Sequence, residues 1–156
     1  MSKIAVIRIS GKNDLKKEIK DTFKMLRAYK KNNCVVLENT PSNLGMVNRL
    51  KDHITWGEID QETFKLLLEK RAKLVTKKIT INDFIKQKLN TDLNTFTKDF
   101  FESKRKLKDI PGMKLFFGLH PPIKGYERKG TKVPFSLGGV LGYRKDKIND
   151  LIRRML

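Results

Sequence analysis

Between residues 34 and 50 the sequence passes from a strand pattern to a helix pattern with almost no loop, which limits the folds open to it. Residues 34–37 form a short apolar run, typical of a buried strand. Thr40 can cap a helix with its hydroxyl, and Pro41 suits the first helical position because its missing N–H costs nothing there. A narrow apolar stripe then marks the helix at Leu44, Val47 and Leu50. We therefore predict a strand followed directly by a short helix.

The opening of this helix has two interpretations. Its first N–H groups have no partners within the helix, Asn39 precedes it, and Arg49 and Lys51 are nearby cations. Such an N-terminus is suited to bind an anion or a phosphate. The alternative is an ordinary strand-to-helix turn with a solvated polar face, and the sequence leaves both open.

The first 59 residues predict a β-α-β-α-β order. Residues 4–9 are rich in β-branched side chains and predict a central strand, and residues 14–29 carry the apolar spacing of a helix. The strand at residues 34–37 and the helix after Pro41 follow, and a third strand is expected near residues 53–59. Helices that connect strands in this way favour an α/β or α+β sandwich with the helices on one face of the sheet.

Residues 60–110 change to helical patterns. Asp60 can cap a first helix, the run that begins at Thr80 is a capping box for a second, and a third is expected over residues 93–108. We predict that this segment is an insertion packed on a core formed by residues 1–59.

Residues 111–156 predict a further strand, a basic loop and a final helix. The strand is expected at residues 115–119, and Asp146 can cap the helix. Between them, residues 120–142 have the composition of a loop, with seven glycines and prolines between positions 121 and 139. A loop of this length in a compact domain is usually functional or disordered.

The chain is strongly basic, with 35 Lys and Arg residues against 17 Asp and Glu residues and a formal net charge of +18. A folded protein with this surplus repels itself unless a polyanion neutralises it, and nucleic acid and anionic membranes are the usual candidates. Residues 111–156 are the strongest candidate for phosphate contact because they hold ten basic and only three acidic side chains. One cysteine excludes an internal disulfide, and the N-terminal apolar run is too short for a signal peptide or a membrane span.

No catalytic motif is present. The sequence contains no CxxC, HExxH or GxSxG pattern, and residues 125–132 lack the order of a phosphate-binding loop. Cys34 lies within an apolar run, so we predict a core thiol, and a structural role is expected for His53. His120 either shapes the backbone or points at a phosphate or ribose, and the sequence does not decide between them.

The segment from Lys124 to Lys132 is the clearest binding signal. Basic side chains alternate with glycine, and Tyr126 can stack on a base or a ribose. Glycine lets the backbone approach a phosphate chain closely. The alternative is a disordered basic loop without a specific partner, and the composition does not distinguish RNA from DNA.

Two groups of residues resemble a known family. The first reads Val36-Leu37-Glu38-Asn39-Thr40-Pro41 and continues as Gly45-Met46-Val47-Asn48-Arg49. The second comprises Phe117-Gly118-Leu119-His120-Pro121-Pro122, Gly138-Gly139 and Ile148-Asn149-Asp150-Leu151. The first is similar to the core signature of the large-subunit ribosomal protein family L-thirty, with Asn39 where an aspartate is usual. The second, with the helical insertion, resembles the longer archaeal form, so that the likeness covers essentially the whole chain.

The resemblance implies an α+β fold with a β-α-β-α-β core, a three-stranded antiparallel sheet related to the ferredoxin-like fold, a helical insertion, an extra strand and a basic C-terminal extension. It implies a non-catalytic structural constituent of the cytoplasmic ribosome. The expected partners are large-subunit ribosomal RNA and neighbouring large-subunit ribosomal proteins, with no membrane, no small-molecule substrate, no metal and no cofactor. Phosphate neutralisation together with shape is the expected mode of binding.

The candidate RNA-binding residues come from the matching motifs and from basic positions elsewhere. They are Lys12, Arg27, Lys30, Lys31, Asn39, Asn43, Met46, Asn48, Arg49, His120, Lys124, Tyr126, Arg128, Lys129 and Lys132. Two rival functions stay open. One is a small basic nucleic-acid-binding protein that acts outside the ribosome. The other is an acyl-phosphate hydrolase that uses Arg8 or Arg49 with an asparagine, for which no motif exists.

Overall fold

The computed structural model describes residues 2–74 and 81–156, which form one mixed sheet with helices on both faces. The strands are β1 (Lys3–Arg8), β2 (Asn33–Glu38), β3 (Ile54–Glu58), β4 (Phe117–Gly118) and β5 (Gly142–Tyr143). The α-helices are α1 (Lys17–Met25), α2 (Pro41–Arg49), α3 (Gln61–Arg71), α4 (Ile81–Leu89), α5 (Leu93–Phe101) and α6 (Lys147–Met155). Short 3-10 helices cover Leu107–Asp109 and Phe135–Leu137.

The strand order is β4-β2-β1-β3-β5, so β1 is central as predicted. It runs antiparallel to both neighbours, with Ala5 opposite Val36 on one side and Gly57 on the other. β4 adds antiparallel to β2, and β5 adds parallel to β3. The α+β class and the three-stranded antiparallel centre are therefore confirmed. β5 was missed because its first residue falls at the end of the predicted loop and the strand has only two residues.

Alternation along β1 divides the core into two clusters. Ile4 and Val6 point to the face that α1 and α2 cover, and Ala5 and Ile7 point to the opposite face. This follows from the two-residue period of a strand, which sends successive side chains to opposite faces. The prediction of helices on one face is correct for α1 and α2, whereas α3 to α6 cover the other face.

Three predicted elements are shorter in the structure because the backbone turns earlier than the apolar pattern does. Asp14 and Arg27 adopt left-handed backbone angles (φ 57° and 61°), so α1 is confined between them. Ser103 is left-handed as well (φ 61°) and follows the end of α5, after which a separate 3-10 helix forms. The strand predicted at residues 115–119 pairs only at Phe117–Gly118.

Two of the four predicted helix caps are confirmed. Thr40 Oγ1 accepts the N–H of Asn43 at 3.3 Å, and Asp60 Oδ1 accepts the N–H of Thr63 at 2.7 Å. The Asp146 prediction was wrong, because this residue has helical backbone angles and its side chain makes no capping bond. The capping box at Thr80 lies outside the described residues.

The segment after residue 60 packs directly on the sheet. Phe64 on α3 stacks on Phe100 on α5, with 4.5 Å between ring centroids, inside the same apolar cluster as Ala5 and Ile7. The fully buried Lys3 joins β1 to this segment, since its ammonium donates to Glu38 Oε1 at 3.2 Å and to Ser103 Oγ at 3.1 Å. It also lies 4.9 Å from the centroid of the Phe100 ring. The division into core, insertion and C-terminal extension stays a prediction.

Candidate nucleic-acid interface

The opening of α2 uses most of its polar groups within the protein. The Thr40 hydroxyl holds the N–H of Asn43, and the Asn43 side chain donates to the Glu38 carbonyl at 2.9 Å. Asn39 donates from Nδ2 to Ser2 Oγ at 2.9 Å. Asn39 Oδ1 is buried without a partner among the described residues, but an acceptor oxygen does not attract an anion. Because the donors named above are already paired, the geometry favours the ordinary strand-to-helix turn over an anion site at this helix N-terminus.

The remaining positions of the motif divide into inward and outward residues. Met46 is half-buried and packs against the apolar cluster beneath α1 and α2. Asn48 and Arg49 lie on the exposed side of α2, and Arg49 forms no ion pair with any described residue. Within the motif, these two side chains are therefore the ones that a partner can reach most directly.

The basic loop, residues 120–142, is tied to the sheet by a pair that sequence reasoning missed. The guanidinium of buried Arg144 donates to both carboxylate oxygens of Glu127, at 2.7 and 3.2 Å, and to Thr55 Oγ1 at 2.9 Å. Arg144 also lies 4.5 Å from the centroid of the Phe135 ring. Burial opposes ionisation of Glu127, but the hydrogen bonds and charge of Arg144 outweigh it and lower the pKa of that carboxyl. The signal was present, because Glu127 is the only acidic residue in this loop.

Tyr126 helps to fix the same loop. Its hydroxyl donates to Asn32 Oδ1 at 3.0 Å, and its half-buried ring packs against the core. Burial, and then the charge of Glu127, raise the pKa of Tyr126. Stacking of this ring on a base stays a prediction, and the part of the ring that packs on the core is closed to it.

Three lysines from separate parts of the chain line one cavity of about 760 Å³, which we call the lysine cleft. Lys31 precedes β2, Lys51 follows α2, and Lys132 lies in the basic loop. Lys31 and Lys132 are predicted RNA-binding residues that the fold brings together. Lys51 was predicted only as a cation near the α2 opening and was not among the candidate RNA-binding residues.

The other predicted cations lie elsewhere. Lys12 lines a second cavity of about 520 Å³ along α1, whose further cations are Arg8, Lys17, Lys20 and Lys24. Arg27 lines a third groove of about 320 Å³ together with Lys106 and Lys108. The loop and turn cations are exposed, namely Lys30, Lys124, Arg128 and Lys129. The candidate residues therefore belong to several basic surfaces.

Arg8, one of the two arginines that the hydrolase alternative names, donates its hydrogen bonds within the fold. Its guanidinium donates to the carbonyl oxygens of Ala28 at 2.8 Å, Ser10 at 3.0 Å and Gly11 at 2.6 Å. It also lies 3.9 Å from the centroid of the Phe23 ring. Burial lowers the pKa of Arg8, and little of the side chain is left for a substrate.

The histidines and the cysteine carry no catalytic arrangement. Cys34 is fully buried, as predicted, and burial raises the pKa of its thiol to about 12. His53 is half-buried and meets the edge of Phe23, with ring centroids 6.3 Å apart. His120 is exposed, and its Nε2 lies 3.0 Å from Nη1 of Arg71. Among the described residues, no group of three or more His, Cys, Asp and Glu side chains could hold a metal ion.

Comparison with known proteins identifies the family. Residues 4–54, from β1 to the start of β3, match the family described as Ribosomal protein L30p/L7e. Over all 156 residues, and over 100% of both chains, the sequence is 44% identical to the "Large ribosomal subunit protein uL30" of Nanoarchaeum equitans. The chain belongs to the L30p/L7e family. Other L30p/L7e relatives, both named "Large ribosomal subunit protein uL30", give the same answer. The Methanopyrus kandleri protein is 41% identical, and the alignment covers 94% of this chain and 99% of that protein. The Methanococcus maripaludis protein is 40% identical, and the alignment covers 97% of this chain and 98% of that protein.

These L30p/L7e relatives extend beyond the part that the family profile matches. The alignment to the Nanoarchaeum equitans protein covers all 156 residues and so includes the helical segment, the basic loop and α6, and the three organisms are archaea. The resemblance to the longer archaeal form is therefore confirmed. Separately, no helix in residues 2–74 and 81–156 has the length and apolar character needed to cross a bilayer.

Proposed function

We propose that this chain is a non-catalytic structural constituent of the large ribosomal subunit, located in the cytoplasmic ribosome, and that it binds large-subunit ribosomal RNA. The observation that carries the proposal is the full-length identity of 44% to a protein named as a large-subunit ribosomal protein. The charge of +18 supports a polyanionic partner. The expected contacts include the candidate residues that the structure leaves exposed.

Binding proceeds by phosphate neutralisation and shape. The sheet and its two layers of helices form a fixed framework, and the Glu127–Arg144 pair holds the basic loop against it. Cations on such a framework can meet phosphates on folded RNA without a large ordering cost. Each neutralised phosphate releases counterions, so the logarithm of the affinity falls with the logarithm of the salt concentration.

Neighbouring ribosomal proteins are the second class of proposed partner. Two large apolar side chains of the basic loop, Ile123 and Leu137, are 69% and 61% exposed. Exposed apolar groups of this size are common at contacts between proteins. We expect at least one protein neighbour to cover them in the assembled subunit, and the helical insertion at residues 60–110 is a further candidate surface.

A filter-binding titration of the protein against large-subunit ribosomal RNA at several salt concentrations tests the proposal. We expect a slope of about −0.7 to −0.9 for each phosphate neutralised, summed over the contacts. A flat response would contradict the electrostatic account.

The rival that the charge also favours is a basic nucleic-acid-binding protein outside the ribosome. Co-sedimentation separates the two functions, since we expect the protein to stay with large subunits after a moderate salt wash. Recovery only in subunit-free fractions would favour the rival. The hydrolase alternative loses one of its two arginines because the donors of Arg8 are held by backbone carbonyls, and no catalytic motif surrounds the other, Arg49.

A further inference from the structure

The lysine cleft lies where three connections meet beside the end of β1. Its walls come from the turn before β2, the turn before β3 and the basic loop. The cavity of about 760 Å³ is larger than the other two basic cavities, of about 520 and 320 Å³. No motif marks it, because its three lysines are 20, 81 and 101 positions apart in sequence.

The charges around the cleft are unbalanced. Lys31, Lys51 and Lys132 are all exposed, and their side-chain ammonium groups form no hydrogen bond or ion pair with the described residues. Among the described residues of the lining, Asp52 is the only one with a carboxylate. Ammonium groups gathered around one space repel each other until an anion enters it. The arrangement therefore favours a ligand with several negative charges.

Backbone and side-chain bonds hold each wall in place. Next to Lys31, Asn32 accepts the hydroxyl of Tyr126 and so joins the turn to the basic loop. Near Lys51, the carbonyl of His53 accepts the N–H groups of Ile9 and Ser10 at 3.0 and 3.1 Å. The wall beside Lys132 is closed by the carbonyl of Val133, which accepts the N–H groups of Val140 and Leu141 at 2.9 and 3.1 Å. The three lysines are thus attached to a framework that is formed before any ligand binds.

One polar group in the lining lacks a partner. The hydroxyl oxygen of Ser10 is buried and makes no hydrogen bond among the described residues. Buried hydroxyls are normally paired, and an unpaired one calls for an explanation. Because the oxygen itself is closed to solvent, the Ser10 side chain must rotate toward the cleft before a phosphate oxygen there can accept from its hydroxyl. Ile9, Trp56 and Leu141 form the apolar part of the lining, and its polar side chains are the three lysines, Ser10, Asp52, His53 and Thr131.

We propose that the lysine cleft binds a bend of RNA backbone, with phosphates at Lys31, Lys51 and Lys132 and a hydrogen bond from Ser10 to one phosphate oxygen. This deepens the proposed function and rests on it. It assigns Lys51 and Ser10 to the RNA interface, although neither belongs to the two groups of residues that carry the family resemblance.

The test compares two triple variants of the full-length protein in filter binding to large-subunit ribosomal RNA. Lys31→Gln/Lys51→Gln/Lys132→Gln removes the cleft charges, and Lys70→Gln/Lys88→Gln/Lys114→Gln removes three exposed charges outside it. Both lose the same net charge. We expect the cleft variant to reduce the salt slope by about 2 to 3, as for three phosphates, and the control to reduce it by less than 1.

Equal losses in the two variants would overturn the cleft proposal while leaving general RNA binding intact. A wild-type protein whose affinity ignores salt would instead contradict the proposed function. Thermal unfolding of each variant checks the fold, and the single variants Lys51→Gln and Lys132→Gln, each expected to reduce the slope by slightly less than 1, decide the matter if the triple variant does not fold.

Ser10→Ala gives an independent test. Its hydroxyl has no partner among the residues that the structure describes, so we expect unchanged thermal unfolding and an affinity for ribosomal RNA that is about threefold to tenfold weaker. The exposed Ser42→Ala is the control, and we expect it to bind like the wild type. An affinity of Ser10→Ala within twofold of the wild type would remove Ser10 from the proposed site.

Discussion

The opening of α2 and the lysine cleft are both polar regions beside the same sheet, but they differ in how far their polar groups are hydrogen-bonded within the protein. At α2, Thr40 and Asn43 are bonded to neighbouring backbone, and Asn39 is bonded to Ser2. In the cleft, the three lysines and the Ser10 hydroxyl have no partner among the described residues. The groups at the start of α2 are thus mostly bonded within the protein, whereas the cleft lysines, like exposed Arg49 on α2, keep side chains without a partner among the described residues.

The comparison implies different consequences of mutation. Changes at the α2 opening should act on stability first, because they remove bonds within the protein. Changes in the lysine cleft should act on binding first, because the lysines stabilise nothing that the described structure shows.

Gly139→Ala should have the largest effect. A Cβ at this position would overlap the carbonyl group of Val133, which closes the cleft wall beside Lys132. We expect the free energy of unfolding to fall by about 3 kcal/mol, the upper part of the range for overpacked sites. Chemical denaturation of the purified variant measures it.

Gly45→Ala in α2 is the matched control for that substitution. Nothing lies within 4 Å of a Cβ built there, and the residue is inside a helix. Alanine should therefore raise the free energy of unfolding by about 0.5 to 1 kcal/mol. If alanine changed the free energy of unfolding in the same direction at Gly45 and Gly139, the overlap with Val133 would not explain the effect at Gly139.

Glu127→Gln should lower the free energy of unfolding at neutral pH by about 2 kcal/mol, since it breaks the pair with buried Arg144. The pKa of Glu127 in the folded protein lies below its ordinary value of 4.5. Its contribution is therefore complete above about pH 4.5 and is lost as the pH falls through the lower folded value. Unfolding curves between pH 7 and pH 3 should show a smaller acid-dependent loss in the variant, and parallel curves would contradict the assignment.

Thr40→Ala should cost about 1 kcal/mol of unfolding free energy, the usual effect of removing a helix cap. Thr40→Ser keeps the hydroxyl and should stay close to the wild type. We expect the affinity of both folded variants for ribosomal RNA to be unchanged. If fully folded Thr40→Ala bound ribosomal RNA with a tenfold weaker affinity, the α2 opening would have to be assigned to RNA binding and not only to stability.

Arg49→Gln should have the smallest effect on stability, within about 0.5 kcal/mol, because the side chain is exposed and unpaired among the described residues. If Arg49 meets one phosphate, the salt slope of RNA binding should fall by slightly less than 1. Filter binding at four or more salt concentrations resolves this change. An unchanged slope would indicate that Arg49 does not contact a phosphate.

Local features of the fold followed from the sequence, and features that depend on distant pairing did not. The central strand, the Thr40 cap and buried Cys34 each depend on neighbours within a few residues, and they were predicted correctly. The ends of α1 and α5 were missed because single left-handed residues, Arg27 and Ser103, stop helices whose apolar spacing continues.

The candidate site shows the same limit. The motif residues and the basic loop were visible in the sequence, whereas the lysine cleft exists only after β1 pairs with β3 and the loop folds back on the sheet. The Arg144–Glu127 pair joins residues 17 positions apart, and no period or motif announces it. Charge counting identified the basic segments but did not show which cations are paired.

The two-sided core described for β1 has a consequence for synthesis of the chain. After 59 residues, all elements that cover Ile4 and Val6 exist, but the helices that cover Ala5 and Ile7 are still to be made. The growing polypeptide therefore leaves part of one apolar face of the sheet uncovered until α6, which ends at Met155, has been made. We expect a chaperone to hold nascent chains of intermediate length, which pull-down of ribosome-stalled chains would measure, and full-length chains to be released.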